Sequence, residues 1–163
     1  MEHLGTIDAV LTADIVSPKE GEARLASCGA GRMCIRLDID LDAPGRQIGT
    51  VSVSLDPADG CEPQNIAMPI ISVRPGVGPT LVLTAGVHGD EYEGQVALAE
   101  LGRSLDINRV SGQVIIMPTV NGPACFAGQR NTPLDGMNLN RAFPGTTNGT
   151  FTSRLAHFMK PNY

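Results

Sequence analysis

The strongest constraint on how this chain folds is the run Leu81-Val82-Leu83-Thr84-Ala85, which ends at Gly86. An unbroken apolar run of strand length fits a strand covered on both faces of its sheet. From Tyr92 to Leu105 the period changes: Leu98, Leu101 and Leu105 fall on one helical stripe with Ala97 beside it. Gly94 and Gly102 weaken that helix only slightly. Val114–Met117 then reads as a second buried strand, ending at Pro118. Strand, helix, strand in this order predicts a right-handed crossover with parallel pairing, and so an α/β fold. Such sheets place ligand-binding groups in the loop just past the carboxyl end of a strand. Here that loop is Val87-His88-Gly89-Asp90-Glu91.

A neutral imidazole nitrogen and a carboxylate oxygen are ordinary zinc ligands, and a catalytic zinc takes three protein ligands plus a water. His88 and Glu91 would supply two of the three. The tetrapeptide alone leaves a plainer reading open, a polar loop whose histidine caps the next helix.

The chain before this loop has a different pattern. Ile35, Leu37, Ile39 and Leu41 alternate with Arg36, Asp38, Asp40 and Asp42, as in a strand with one wet face. A turn at Ala43-Pro44-Gly45, a second alternating strand over Val51–Leu55 and a loop over Asp56–Pro63 follow. The third strand, about Ile66 to Val73, contains Pro69, which implies an edge position or a bulge. Three units result: an unassigned segment 1–32, a small antiparallel β unit 33–75, and an α/β unit 76–163. In the first, Thr12–Val16 reads as a short strand and Ser17–Gly21 as a turn or a capped helical turn. Asn121–Gly149 is long and irregular, which in a compact domain usually marks function. Thr150–Met159 resumes a helical pattern with Phe151, Leu155 and either Phe158 or Met159 on one face.

Composition removes several function classes. With 42% hydrophobic and 18% charged residues in 163, the chain is globular and long enough for a real core. A net charge of -5 with no basic stripe, no tryptophan and few aromatics argues against a nucleic-acid partner. No stretch approaches the ~18 apolar residues of a membrane span. The four cysteines form no C-x-x-C pair, and with no signal-peptide pattern they are expected as free thiols in a cytoplasmic protein.

The long segment adds arginines and asparagines among turn residues: Arg130-x-Thr132-Pro133-x-Asp135-Gly136, then Asn138-Leu139-Asn140-Arg141-x-Phe143-Pro144-Gly145. Together with His88-Gly-Asp-Glu91 and Pro118-x-x-Asn121-x-Pro123, these blocks strongly resemble the succinylglutamate desuccinylase/aspartoacylase family. That family comprises zinc-dependent amidohydrolases on the zinc-carboxypeptidase fold, a mixed, largely parallel sheet with flanking helices. The form His-Gly-Asp-Glu-Tyr-Glu-Gly looks closest to its ectoine-degradation branch, which acts on N-acetyl-2,4-diaminobutyrate. The resemblance covers about Met33 to Met159.

The resemblance implies roles residue by residue. His88 and Glu91 match the first two zinc ligands. Arg130 matches the arginine that polarises the scissile carbonyl and stabilises its oxyanion. Asn140 and Arg141 match the pair that holds the substrate carboxylate, a task suited to the planar guanidinium fork. Asp135 and Asn138 read as loop-shaping residues that bond local backbone. The implied partner is a small N-acylated amino acid, which loses a short acyl group to zinc-activated water.

The sequence also departs from the family pattern. The third ligand, a histidine in an Asp-x-His-Ser-Gly context, and the general-base glutamate have no match before Tyr163. His157 lies in a helical segment of different context and reads as a surface or packing histidine; nothing supports His3 as a ligand. Lys160-Pro161-Asn162-Tyr163 does not continue the family pattern, so the resemblance implies a truncated chain. Such a chain is expected to bind zinc weakly and to turn over poorly. It would also expose an apolar sheet edge that invites pairing with another copy. A non-catalytic fragment that keeps the carboxylate-binding loop, and a zinc carboxypeptidase, are the alternatives.

Overall fold

The computed structural model describes residues 33–55 and 64–160. The expected strand at Thr12–Val16, the turn at Ser17–Gly21, the loop over Asp56–Pro63 and the final three residues lie outside the described residues. Three strands come first: β1 (Met33–Leu37), β2 (Gly45–Leu55) and β3 (Gln64–Arg74). Then follow β4 (Thr80–Thr84), helix α1 (Tyr92–Ser104) and β5 (Gln113–Met117). Two further helices, α2 (Gly122–Ala127) and α3 (Phe151–Met159), close the order.

The five strands among the described residues share one mixed sheet in the order β1-β2-β3-β5-β4. β2 pairs antiparallel with both β1 and β3, and β3 meets β5 antiparallel through Ile71↔Ile116. β4 and β5 pair in parallel, with Val82 opposite Ile115, as strand, helix, strand predicts. β2 starts at Gly45, well before the apolar alternation at Val51, because β3 offers it a partner along its whole length. Pro69 faces Thr50 on β2, while the ladder from β3 to β5 starts only at Ile71. Pro69 therefore sits where β3 is locally an edge, as its missing N–H requires.

Side-chain alternation divides the sheet into two apolar faces. On one, Ile71, Val73 and Ile116 are covered by Leu98, Leu101 and Leu105 of the α1 region. On the other, Met68, Ile70, Val82, Ile115 and Met117 pack with Val120, Leu139, and Phe151, Leu155 and Ala156 of α3. Met159 joins this core, whereas Phe158 is 45% exposed, which settles the alternative left open by the helical stripe. One buried polar tie crosses the sheet. The Gln113 amide donates to Leu41 O (2.7 Å) and Ser72 Oγ (3.0 Å), and its oxygen accepts from Thr80 Oγ1 (3.1 Å).

The expectation of free thiols throughout fails at Cys34, which is disulfide-bonded; Cys125 is free. Spacing rules test only for paired motifs, whereas a half-buried position on a strand such as β1 is open to any thiol the fold brings near. Among the described residues no helix is long and apolar enough to cross a membrane.

Candidate active site

Beyond β4 the chain continues to pair with the segment after β5, through Ala85 N to Met117 O, Val120 N to Ala85 O and Asn121 N to Gly86 O. Two glycines make this close approach possible. Gly86 has φ +72°, and a Cβ there would lie 2.7 Å from Cys125 Sγ and 3.0 Å from Thr119 Cα. A Cβ on Gly89 would lie 1.9 Å from the carbonyl oxygen of Ala124 in α2, and the Gly89 N–H donates to Gln129 O at 2.8 Å. The loop is pressed against backbone on both sides, so its turn holds His88 inside (7% exposed) while Glu91 remains exposed.

His88 is gripped at both ring nitrogens. Nδ1 lies 3.0 Å from Glu91 Oε1, and Nε2 lies 3.1 Å from Asn138 Oδ1. Arg130 Nη1 donates to the same Glu91 oxygen at 2.9 Å. The structure thus brings together His88, Glu91 and Arg130. Asn140 and Arg141 are exposed on a single 3₁₀ turn, Leu139–Arg141, which Asn138 caps by accepting from Asn140 N at 3.0 Å. Arg141 reaches only the Asn140 carbonyl, at 3.4 Å, and among the described residues no carboxylate pairs with it.

Buried polar groups set these positions. Asn121 is fully buried; its Nδ2 donates to Val87 O (3.2 Å) and its Oδ1 accepts from Thr132 Oγ1 (3.1 Å). One side chain therefore ties the residue before His88 to the loop that carries Arg130. Asp135 accepts from Met137 N (3.1 Å), Thr152 N (2.8 Å) and Thr152 Oγ1 (2.7 Å), joining that loop to the start of α3. Burial alone would raise the Asp135 carboxyl, but bonds from Thr152, Met137 and Thr150 outweigh it and hold it below the ordinary range. Asp135 thus shapes the loop as expected. Asn138 does so too, but its second contact, to a histidine 50 residues away, has no local signature in the sequence.

Asn138 Oδ1 accepts from the Asn140 backbone N–H, so it is the amide oxygen that faces His88, and Nε2 must carry the proton of a neutral ring. The Nδ1 lone pair then points at a carboxylate oxygen 3.0 Å away. Two lone pairs so close need a cation between them, a second proton or a metal ion. His88 and Glu91 therefore fit as two metal donors. Among the described residues no third His, Cys, Asp or Glu converges with them. His157 is exposed on α3 and stands outside the site.

A sequence profile of the succinylglutamate desuccinylase/aspartoacylase catalytic domain matches residues 77–163, more than half of the chain. The chain belongs to this family. It is 43% identical over 124 residues to the N-alpha-acetyl-L-2,4-diaminobutyric acid deacetylase of Halomonas elongata, covering 76% of this chain and 36% of that enzyme. A family crystal structure from Rhodobacter sphaeroides superposes with a TM-score of 0.71 at 46% identity, over 77% of this chain and 38% of that one. The product-bound ectoine utilization protein EutE of Ruegeria pomeroyi also gives 0.71, at 40% identity and the same coverage. The mixed sheet and its helices are thus this family's fold, and the chain spans a little over a third of the length of these relatives. The family blocks recognised in the sequence, from His88-Gly-Asp-Glu91 through Pro144-Gly145, all fall within the matched residues.

Proposed function

We propose that the chain carries part of the active site of a zinc-dependent amidohydrolase that removes a short acyl group from an N-acyl amino acid of the N-acetyl-2,4-diaminobutyrate type. The observation that carries this reading is the convergence of His88 Nδ1 and Arg130 on one oxygen of Glu91. That convergence supports a reading in which a pair of metal donors and an arginine act within one site. His88 and Glu91 would hold zinc together with a third donor from outside the described residues. The chemistry that zinc supplies when bound is Lewis acidity, which lowers the pKa of water from ~15.7 to ~7.

The chain's own residues do the rest. Arg130 has five N–H donors and spends one on Glu91, so others remain to polarise the scissile carbonyl and hold its developing negative charge. Asn140 and Arg141 offer an amide and a guanidinium with no carboxylate partner among the described residues, a pair suited to both oxygens of a substrate carboxylate. The name of the Halomonas relative, an N-alpha-acetyl-L-2,4-diaminobutyric acid deacetylase, supports an N-acetylated diamino acid as the substrate.

The test is zinc content and affinity of the 163-residue chain with His88→Ala as control, followed by hydrolysis of N-acetyl-2,4-diaminobutyrate and of a blocked dipeptide. Zinc binding lost in the variant, with any turnover confined to the acetylated amino acid, is the expected result. With two donors among the described residues, the affinity should be weak. Zinc binding unchanged in His88→Ala would refute the assignment. The two-donor count also favours a second reading, a carboxylate-binding fragment without turnover. Binding of N-acetyl-diaminobutyrate that depends on Arg141 but not on zinc would select it.

A further inference from the structure

We propose that Asn148 is a site of self-modification: the folded chain opens the Asn148-Gly149 pair to deamidation through a cyclic imide and shields the same pair at Asn121-Gly122. An asparagine followed by glycine is prone to this reaction, because a residue without a side chain lets its backbone nitrogen reach the preceding amide. The chain holds two such pairs, and the fold treats them oppositely. Asn121 is fully buried; its Nδ2 donates to Val87 O at 3.2 Å and its Oδ1 accepts from Thr132 Oγ1 at 3.1 Å. Its Cγ cannot turn toward the Gly122 nitrogen without breaking both bonds. Asn148 and Gly149 are exposed in the turn ahead of α3. Among the described residues, neither the Asn148 amide nor the Gly149 N–H has a hydrogen-bond partner. The electrophile is free to rotate, and the nucleophile is free to give up its proton. Packing also favours glycine at 149, where a Cβ would lie 2.6 Å from both Ser153 Oγ and Thr146 Oγ1.

The reaction needs only water. The Gly149 nitrogen loses its proton and bonds to Asn148 Cγ; the Cγ–Nδ2 bond breaks, and the amide nitrogen leaves with that proton as ammonia. Water then opens the ring. Addition at Cγ breaks the new bond and gives aspartate. Addition at the Asn148 backbone carbonyl breaks the original peptide bond and gives isoaspartate, whose chain runs through the former side chain. Either product carries a new carboxylate just before Thr150, the N-cap of α3, which makes no side-chain cap bond of its own. Negative charge at that end of a helix is favourable. The isoaspartate also lengthens the backbone where the Thr146 N–H holds the loop to Ser153 O. None of this rests on the zinc reading.

The test incubates the full chain in mildly alkaline buffer, folded and in concentrated urea, and follows the peptides holding Asn121 and Asn148 by mass spectrometry. In the folded chain the Asn148 peptide should convert at least about 100-fold faster, because Asn121 must wait for an opening that a stable fold populates to a fraction of ~10⁻³ or less. In urea the two rates should become alike. Asn148→Gln, whose longer side chain disfavours the ring, should abolish the fast conversion. Similar rates at the two sites in the folded chain, an Asn148 that reacts only in urea, or an Asn121 that stays slow in urea overturns the proposal. Asn148→Asp, which makes the aspartate product directly, reports the effect on α3. A thermal midpoint raised by about 2 °C or more is expected, and an unchanged or lowered one overturns the role of the new charge at the helix start.

Discussion

Replacing Asp135 with alanine removes the side chain that fastens the Arg130 loop to helix α3. Thr150, at the N-cap position of α3, makes no side-chain cap bond, so the carboxylate of Asp135 serves the helix start from 17 residues away. Loss of an N-cap acceptor costs about 1 kcal/mol. Thr152 is 0% exposed, so its hydroxyl would also be left buried without its acceptor, at a further ~1–3 kcal/mol. The sum is about 2–4 kcal/mol of lost stability, measurable as a shift in the urea midpoint at constant m. Asp135→Asn keeps an acceptor but loses its charge, and about 1–2 kcal/mol is expected.

A double-mutant cycle isolates the pair. Thr152→Val removes the hydroxyl, and once it is gone Asp135→Ala should cost about 1–2 kcal/mol less than in wild type. The pH dependence gives an independent arm. Because the folded carboxyl titrates below its ordinary value of 3.8, its contribution is complete above that pH and is lost as pH falls through the lower, folded value. Asp135→Asn should lack this acid-limb loss. An Asp135→Ala variant within about 0.5 kcal/mol of wild type, or strict additivity in the cycle, would refute the capping argument.

Three further outcomes follow from contacts in the fold. Gly89→Ala would place a Cβ 1.9 Å from a backbone oxygen of α2, which cannot rotate aside; destabilisation above about 2 kcal/mol is expected in urea titrations, with loss of the His88–Asn138 bond seen as a changed His88 imidazole spectrum. Arg46 donates to the Gly102 and Leu105 carbonyls at the C-terminal end of α1, so Arg46→Gln should cost about 0.3–1 kcal/mol in thermal unfolding. Burial pushes the Cys125 thiol up to about 11, so little thiolate exists near neutrality. Iodoacetamide at pH 8 should modify the Cys125 peptide about 100-fold more slowly than an unperturbed cysteine, as read by mass spectrometry.

Much of this architecture is legible in the chain because burial writes itself as period. The apolar run in β4, the Leu98/Leu101/Leu105 stripe of α1 and the alternation in β1 and the second half of β2 each name their own buried face. The first half of β2 carries no such signal: Ile48 is 69% exposed, and Gly45–Thr50 is a strand because β3 lies beside it. Helix α2 is also hidden, since six residues are too few to be helical alone. Tertiary contact makes it: Gly122 rests on Ile66 and Met68, and Gly128 closes the helix at φ +60°. At the site, His88 and Glu91 are neighbours in sequence, but the Arg130–Glu91 contact spans 39 residues and His88–Asn138 spans 50. Motif resemblance implied roles for His88, Glu91 and Arg130. The partner of the His88 ring needed the fold.

The strength with which each group is held differs in a way that matches its proposed task. His88 is buried and bonded to an amide oxygen that is itself fixed by backbone, and Asn121, also buried, secures the residue before it. Moving the ring would leave buried polar groups unsatisfied, at about 1–3 kcal/mol each. Arg130 and Glu91 are 56% and 58% exposed at their side chains, and ion pairs of that kind contribute only about 0–1 kcal/mol. The guanidinium is therefore free to leave Glu91 for a stronger partner, while the imidazole stays in place. The proposed histidine donor is thus fixed in advance, whereas Glu91, the other proposed donor, and Arg130, which would follow charge appearing on a substrate, are left able to adjust. Asn140 and Arg141 lie between these cases: their turn is anchored through Asn138, and their side chains face outward without carboxylate partners among the described residues. An anchored turn with open side chains is suited to capturing a carboxylate from solution and presenting the rest of the molecule to His88 and Arg130.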